Sequence, residues 1–193
     1  MSRFFLVVLT AIALAATAAA QAATWQIDPA HSAAQFSVRH LGISTVRGAF
    51  TKVSGSATYD PANPTNLKLS ASIETASVDT RVEMRDKDLR SDHFLDVAKY
   101  PAITFQSKQT KVAGEGKLQI TGDLTIHGVT REVTLDVDGP SAPIKDPWGN
   151  QRMGASASTK ISRKDFGVSG APGAVGDEIT ITIDVELIQP KGK

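Results

Sequence analysis

The chain has 193 residues, 21 of them basic and 20 acidic, and no cysteine. That length suffices for one domain with a sizeable core. The missing cysteine excludes disulfides, thiolate metal sites, a Cys nucleophile and a lipidated Cys, and the near-even charge gives no sign of the basic face that a nucleic-acid binder needs.

Residues 1–22 read as a cleaved signal peptide. Arg3 gives a positive start, Phe4 to Leu14 form an apolar run broken only by Thr10, and Ala20-Gln21-Ala22 is an A-x-A cleavage site. The run is too short for a membrane span, which takes about 20 apolar residues. The mature domain is then 23–193, exported, with a bacterial periplasm as the expected compartment. Without Arg3 its 20 basic and 20 acidic residues cancel. An exported domain without disulfides must be held together by packing.

From there a two-residue period dominates. Short strands are expected at 24–28, 35–41, 45–50 and 55–60. In 66–75, Leu67, Leu69, Ala71 and Ile73 face one way, and Lys68, Ser70, Ser72 and Glu74 the other. The pattern then breaks. Thr80-Arg81-Val82-Glu83 fits the capping box S/T-x-x-E. Glu83 with Lys87 and Asp86 with Arg90 are i,i+4 pairs, each worth about 0.2–0.5 kcal/mol. The expected helix, 81–90, is too short to stand alone. It is expected across a barrel end, with Val82, Leu89, Phe94 and Leu95 facing down. Its charges read either as a solvated face or, for Arg81, Arg85 and Arg90, as contacts to an anionic group at the barrel mouth.

Strands resume at 102–111 and 117–127, where Leu118, Ile120, Gly122, Leu124 and Ile126 share a face. A turn at His127-Gly128 leads to Val133, Leu135 and Val137. Asp146-Pro147-Trp148-Gly149 reads as a turn with Pro in second place, and Trp148 as an anchor over a barrel end. After a strand at 153–161, Arg163 is a head-group candidate and Phe166 a packing residue. The Gly- and Ala-rich 168–176 reads as a mobile loop. The last strand is the clearest, with Ile179, Ile181, Ile183, Val185 and Leu187 set against Thr180, Thr182, Asp184 and Glu186.

Eight to ten strands with one apolar face each, and a single helix, leave a sandwich or a barrel. Long strands and short turns favour an all-β, lipocalin-like antiparallel barrel of about eight strands, wide enough to fill itself or to hold one ligand. Small inward residues (Ala57, Ala71, Ala102, Gly122) leave room for an apolar cavity. Phe36, Val38 and His40 share the inward face of their strand. An outer-membrane barrel alternates in the opposite sense, and the aromatic residues here do not pair at strand ends as its girdles would. The four histidines, His31, His40, His93 and His127, show no H-E-x-x-H or H-x-H spacing, so no metal site is expected. A triad on Ser32 lacks the G-x-S-x-G elbow.

Several stretches carry a family resemblance. They are Ile27-Asp28 with His31-Ser32, FSVRHLG from Phe36, Gly48 with Phe50, and SVDT from Ser77. They continue with RDKDLRSDHFLDVAKYP, ITGDLTIHGVTREVTL, DPWGNQRMG and ISRKDFGV. Over about residues 25–187 the chain resembles the YceI family, of the periplasmic polyisoprenoid-binding type. The resemblance implies a lipocalin-like barrel whose tunnel holds a polyisoprenoid, an isoprenoid quinone or a fatty-acid-like lipid, with no catalysis. The chain departs from the family at Asp88, where a His is common, and at His93, where an acid is. The expected function is carriage or sequestration of a long apolar lipid, with no nucleic-acid partner, no catalytic residue and no stable membrane insertion. The alternatives are a periplasmic hydrolase using Ser32 or a histidine, and an interaction barrel with a filled core; a homodimer is left open. The ligand-contact candidates are Phe36, Val38, His40, Ala71, Arg81, Arg85, Arg90, Phe94, Phe105, Gly122, Trp148, Arg163 and Phe166.

Overall fold

The computed structural model describes residues 22–189, so the signal-peptide reading lies outside it except for Ala22. The strands are β1 (Ala23–Ile27), β2 (Ala33–His40), β3 (Ser44–Phe50), β4 (Val53–Tyr59), β5 (Lys68–Glu74) and β6 (Val78–Asp79). After the helix α1 (Glu83–Arg90) come β7 (Ala102–Gly114), β8 (Lys117–Ile126), β9 (Val129–Asp138), β10 (Ile144–Lys145), β11 (Gln151–Ser162) and β12 (Val175–Gln189). Eight of these close a ring in the order β1, β4, β5, β7, β8, β9, β11, β12, with every neighbouring pair antiparallel. The expected barrel is therefore the one that forms.

The extra strands are bends in the first three staves. β12 pairs with β1 near its own end and with β2 along its first half, so β1 and β2 are one strand bent at 28–32. β3 and β4 are likewise one strand bent at Thr51 and Lys52. The bend between β5 and β6 stitches to this one. Thr51 N–H donates to the Ser77 carbonyl (3.2 Å), Lys52 N–H to Ser77 Oγ (3.2 Å), and Glu74 N–H to the Lys52 carbonyl (3.1 Å). These two bends thus bond to one another through their backbones, as buried backbone requires.

Period-2 alternation sets the wall. Ile27, Ala57, Phe105, Ile120, Leu124, Leu135 and Leu187 point inward and are buried. The outer face carries ion pairs such as Lys108 with Asp123 (2.5 Å) and Glu132 (3.3 Å). Ala102 departs from the expectation. It precedes the inward Ile103 by one residue, so it points outward and is exposed. His127 (φ 51°) and Gly128 (φ 73°) form the two-residue β8–β9 turn, the backbone that right-twisted strands prefer.

The helix starts later than its capping box suggests. Val82 is the N-cap, without a side-chain cap bond, and Arg81 has φ 63°. Thr80 instead gives both its N–H (2.8 Å) and its hydroxyl (2.5 Å) to the buried Asp86 carboxylate. Asp86 is therefore not Arg90's partner. Val82 is 46% exposed and lies outside the core, whereas Leu89, Phe94 and Leu95 join it. Tyr100, at the end of the following loop, packs against His127 in a tilted arrangement with ring centroids 4.4 Å apart. The helix and its loop thus lie over the barrel end that holds the β8–β9 turn.

Candidate ligand-binding cavity

The barrel encloses a cavity of about 260 Å³. Its wall is apolar except for Gln35, Thr104, Thr159 and Arg163. Apolar cavities of about 150 Å³ stay dry and take up small apolar guests, and this one is larger. β12 contributes Ile179, Ile181, Ile183, Val185 and Leu187, the face that its alternation predicts.

Seven of the contact candidates lie on the wall: Phe36, Val38, Ala71, Phe94, Phe105, Arg163 and Phe166. The other six do not. His40 sits half-buried at the β2–β3 turn, opposite Ser44. Gly122 is inward but leaves no room. A Cβ there would strike the Gln106 carbonyl and lie 2.6 Å from the Phe105 ring. Phe105 pairs with Leu124 and Ser107 with Gly122, so the ring is the diagonal cross-strand neighbour that covers the glycine. Trp148 is 77% exposed on its turn, where Gly149 N–H closes back on the Asp146 carbonyl at 3.0 Å.

The arginines around the helix turn to backbone oxygens. Arg85 donates to Thr80 Oγ1 (2.7 Å) and to its carbonyl (3.0 Å). Arg90 donates to the carbonyls of Ala76 (2.9 Å) and Val78 (2.6 Å). Arg81 is exposed and away from the wall. Arg163 reaches the wall, yet its guanidinium is spent on four carbonyls: Val168 (3.1 Å), Gly170 (2.8 Å), Val175 (3.0 Å) and Gly176 (2.9 Å). It therefore ties down the segment 168–176 that composition alone reads as mobile. Residue type cannot reveal these bonds, because all their acceptors but Thr80 Oγ1 are backbone carbonyls supplied by the fold.

Asp88 and His93, the two departures from the family pattern, meet each other. Asp88 Oδ1 lies 3.0 Å from His93 Nδ1, and His93 Nε2 accepts the Ala171 N–H at 3.2 Å. A proton on Nδ1 satisfies both contacts. The pair joins the helix to the 168–176 segment.

At the opposite end, Trp25, Tyr59, Leu118 and Met153 belong to the core but do not line the cavity, so they fill the barrel there. Outside them Arg152 binds Asp28 (2.7 Å), Asp146 (2.9 Å) and Glu186. The hydrogen bond from Arg152, then that from His31, holds the Asp28 carboxyl down at about 2. Burial pushes Asp146 up, but bonds from Arg152 and Asn150 outweigh it and leave the net shift downward. Asp28, His31 and Glu186 are close enough to share a cation, but the Arg152 guanidinium already sits among their oxygens. Ser32 Oγ accepts Glu186 N–H (3.1 Å), while His31 Nδ1 faces Asp28.

The fold and its interior define a lipocalin-like barrel around an apolar cavity. A model of the YceI-like domain matches residues 25–187, and the chain belongs to that family. It is 42% identical to Protein YceI of Salmonella arizonae, over 91% of this chain and 92% of that protein. Among solved structures, Burkholderia cenocepacia BcnA superposes with a TM-score of 0.73 at 26% identity, over 83% of this chain and 98% of BcnA. A polyisoprenoid binding domain from Saccharophagus degradans, implicated in plant cell wall breakdown, shares the fold at 16% identity with a TM-score of 0.63. That match covers 88% of this chain and 100% of the domain.

Proposed function

We propose that this protein binds one long apolar lipid tail in its barrel, and carries or sequesters it in the periplasm after export on residues 1–22. The carrying observation is the 260 Å³ cavity with its almost wholly apolar wall. Burial gains about 0.8 kcal/mol per CH₂, so affinity grows with tail length and needs few polar contacts. An isoprenoid or fatty-acyl chain has that chemistry. The name of the Saccharophagus domain, a polyisoprenoid binding domain of the same fold, agrees with it. The outer face, with its ion pairs, suits water rather than acyl chains. This reading assigns no hydrolytic step; Ser32 Oγ accepts the Glu186 N–H.

The test is organic extraction of protein purified from its native compartment, followed by mass spectrometry. The expected result is a prenyl or fatty-acyl lipid near one per chain, on protein that begins at about Ala23. Ala71→Phe, which fills the wall, lowers that yield in a barrel that circular dichroism shows to be folded. An empty wild-type extract would sink the reading in favour of a filled-core interaction barrel.

A further inference from the structure

The ring has one incomplete seam. β8 and β9 pair from end to end, as do β11 and β12 over the whole of β11. Between β9 and β11 only Ser156–Asp138, Ala157–Val137 and Ser158–Asp136 pair. Continuing that register would set Thr159 against Leu135, Ile161 against Val133 and Arg163 against Arg131, but none of these pairs forms. Like charges directly opposite destabilise a ladder, and here the chain turns into a 3-10 helix at Arg163.

The seam reaches the cavity. Thr159, Ile161 and Leu135 line it, and so does Leu124, the residue paired with Arg131 across β8–β9, while Arg131 and Val133 themselves lie just beyond the lining. Arg131 therefore lies on the inward face of β9, in line with Leu135 and Val137. A closed wall would bury it. Instead it is exposed, while Val129 and Val133 on either side along the same face are half-buried. Its long stem can run beside apolar wall and deliver the guanidinium to water. That guanidinium meets no carboxylate among the described residues. Its one hydrogen bond goes to the neighbouring Thr130 carbonyl at 3.3 Å, and the adjacent Glu132 is engaged by Lys108. Arg85 and Arg90 each give two hydrogen bonds to the fold and Arg163 gives four, whereas Arg131 gives one, to its neighbour in sequence.

We infer that the open β9–β11 seam is a head-group site, where Arg131 binds the carboxylate or phosphate of a lipid whose tail lies in the cavity. The site rests on the lipid-binding reading above. It adds that the acidic head leaves through the side of the barrel rather than beneath the helix.

Equilibrium binding to wild type, Arg131→Gln and Arg131→Lys tests it with three probes: a prenyl alcohol, the monophosphate of the same alcohol, and a long-chain fatty acid. Arg131→Gln is expected to weaken the anionic probes roughly ten- to a hundredfold, the size of a lost hydrogen bond to a charged group. The alcohol should stay within about twofold, since it loses no ion contact. Arg131→Lys should restore part of the loss as a point charge. A loss confined to the phosphate or to the fatty acid keeps the site and names the head group. Equal losses for alcohol and anions, or anions bound as before by Arg131→Gln, would overturn the assignment of Arg131 and leave the cavity reading standing. Wild type that binds none of the three, alcohol included, would remove the cavity reading and this one with it.

Discussion

The two ends of the barrel are closed by different physics. At one end Trp25, Tyr59, Leu118 and Met153 come from the strands themselves, as the inward members of β1, β4, β8 and β11. Outside, Arg152 clamps three carboxylates from β12 and two loops. That end cannot open without breaking the sheet. At the other end the cover is chain outside the ring: α1, the loop carrying Phe94 and Leu95, and the segment 168–174. It is fastened by guanidinium-to-carbonyl bonds and by the Asp88–His93 contact. Few sheet hydrogen bonds must break for this cover to lift, which places it at the low-stability end of local opening. The same barrel can thus keep one end permanently sealed and leave exchange to the other end and to the β9–β11 seam.

The sharpest break of this contrast is Trp25→Ala. Trp25 is 4% exposed, and emptying such a site costs about 3–5 kcal/mol. Thermal or denaturant unfolding should show that loss in full, with bound lipid released only as the barrel unfolds. Phe94→Ala at the covered end should cost somewhat less, about 3 kcal/mol, because the loop can settle into the space. Its signature is kinetic: lipid exchange should accelerate while the fold persists. Similar exchange rates for the two variants would mean that the ends are not distinct.

Arg152→Met comes next. Arg152 is 16% and Glu186 31% exposed, so water screens the network, and loss of the guanidinium should lower the neutral-pH melting temperature by less than Phe94→Ala does. The pH dependence follows from the lowered carboxyls. A carboxylate whose folded pKa is depressed stabilises fully above its unfolded value and less as pH falls toward the folded one. Asp28 drops from 3.8 to about 2, so wild-type melting temperature should be level above about pH 5 and fall between about pH 4 and 2. In Arg152→Met that fall should flatten. A slope as steep as the wild type's would place the acid-sensitive groups elsewhere. The smallest effect belongs to Trp25→Phe. Trp25 Nε1 is buried with no partner, so its removal offsets part of the lost packing, and the net change should stay under about 1.5 kcal/mol.

Much of the wall was legible in the sequence, because a strand must place alternate residues on alternate faces. Leu118 to Ile126 and Ile179 to Leu187 could be assigned to the interior from period alone, and the His127-Gly128 turn from its residue types. Ala102 was misplaced because it lies at a strand start, where one residue of register reverses the face. Period alone puts Gly122 on the correct face, but its space belongs to Phe105, because which strand pairs beside it, and in what register, is set by the tertiary fold. The capping box at Thr80 matched a pattern that Asp86 satisfies in another way. Among the arginines, charge and position drew attention to Arg81, Arg85, Arg90 and Arg163, while Arg131 went unnoticed within a regular strand.

What the sequence determined by itself is that its apolar faces need burial and that one short helix cannot supply it, so the sheet must close on itself. Closure follows from local alternation and the cost of wet apolar surface, both of which are written residue by residue. Tertiary structure alone decided which end is sealed, how much cavity remains, and which cations are left unpaired. Those depend on register, on bulges and on where distant backbone carbonyls come to lie, and no side-chain pattern records a carbonyl's position.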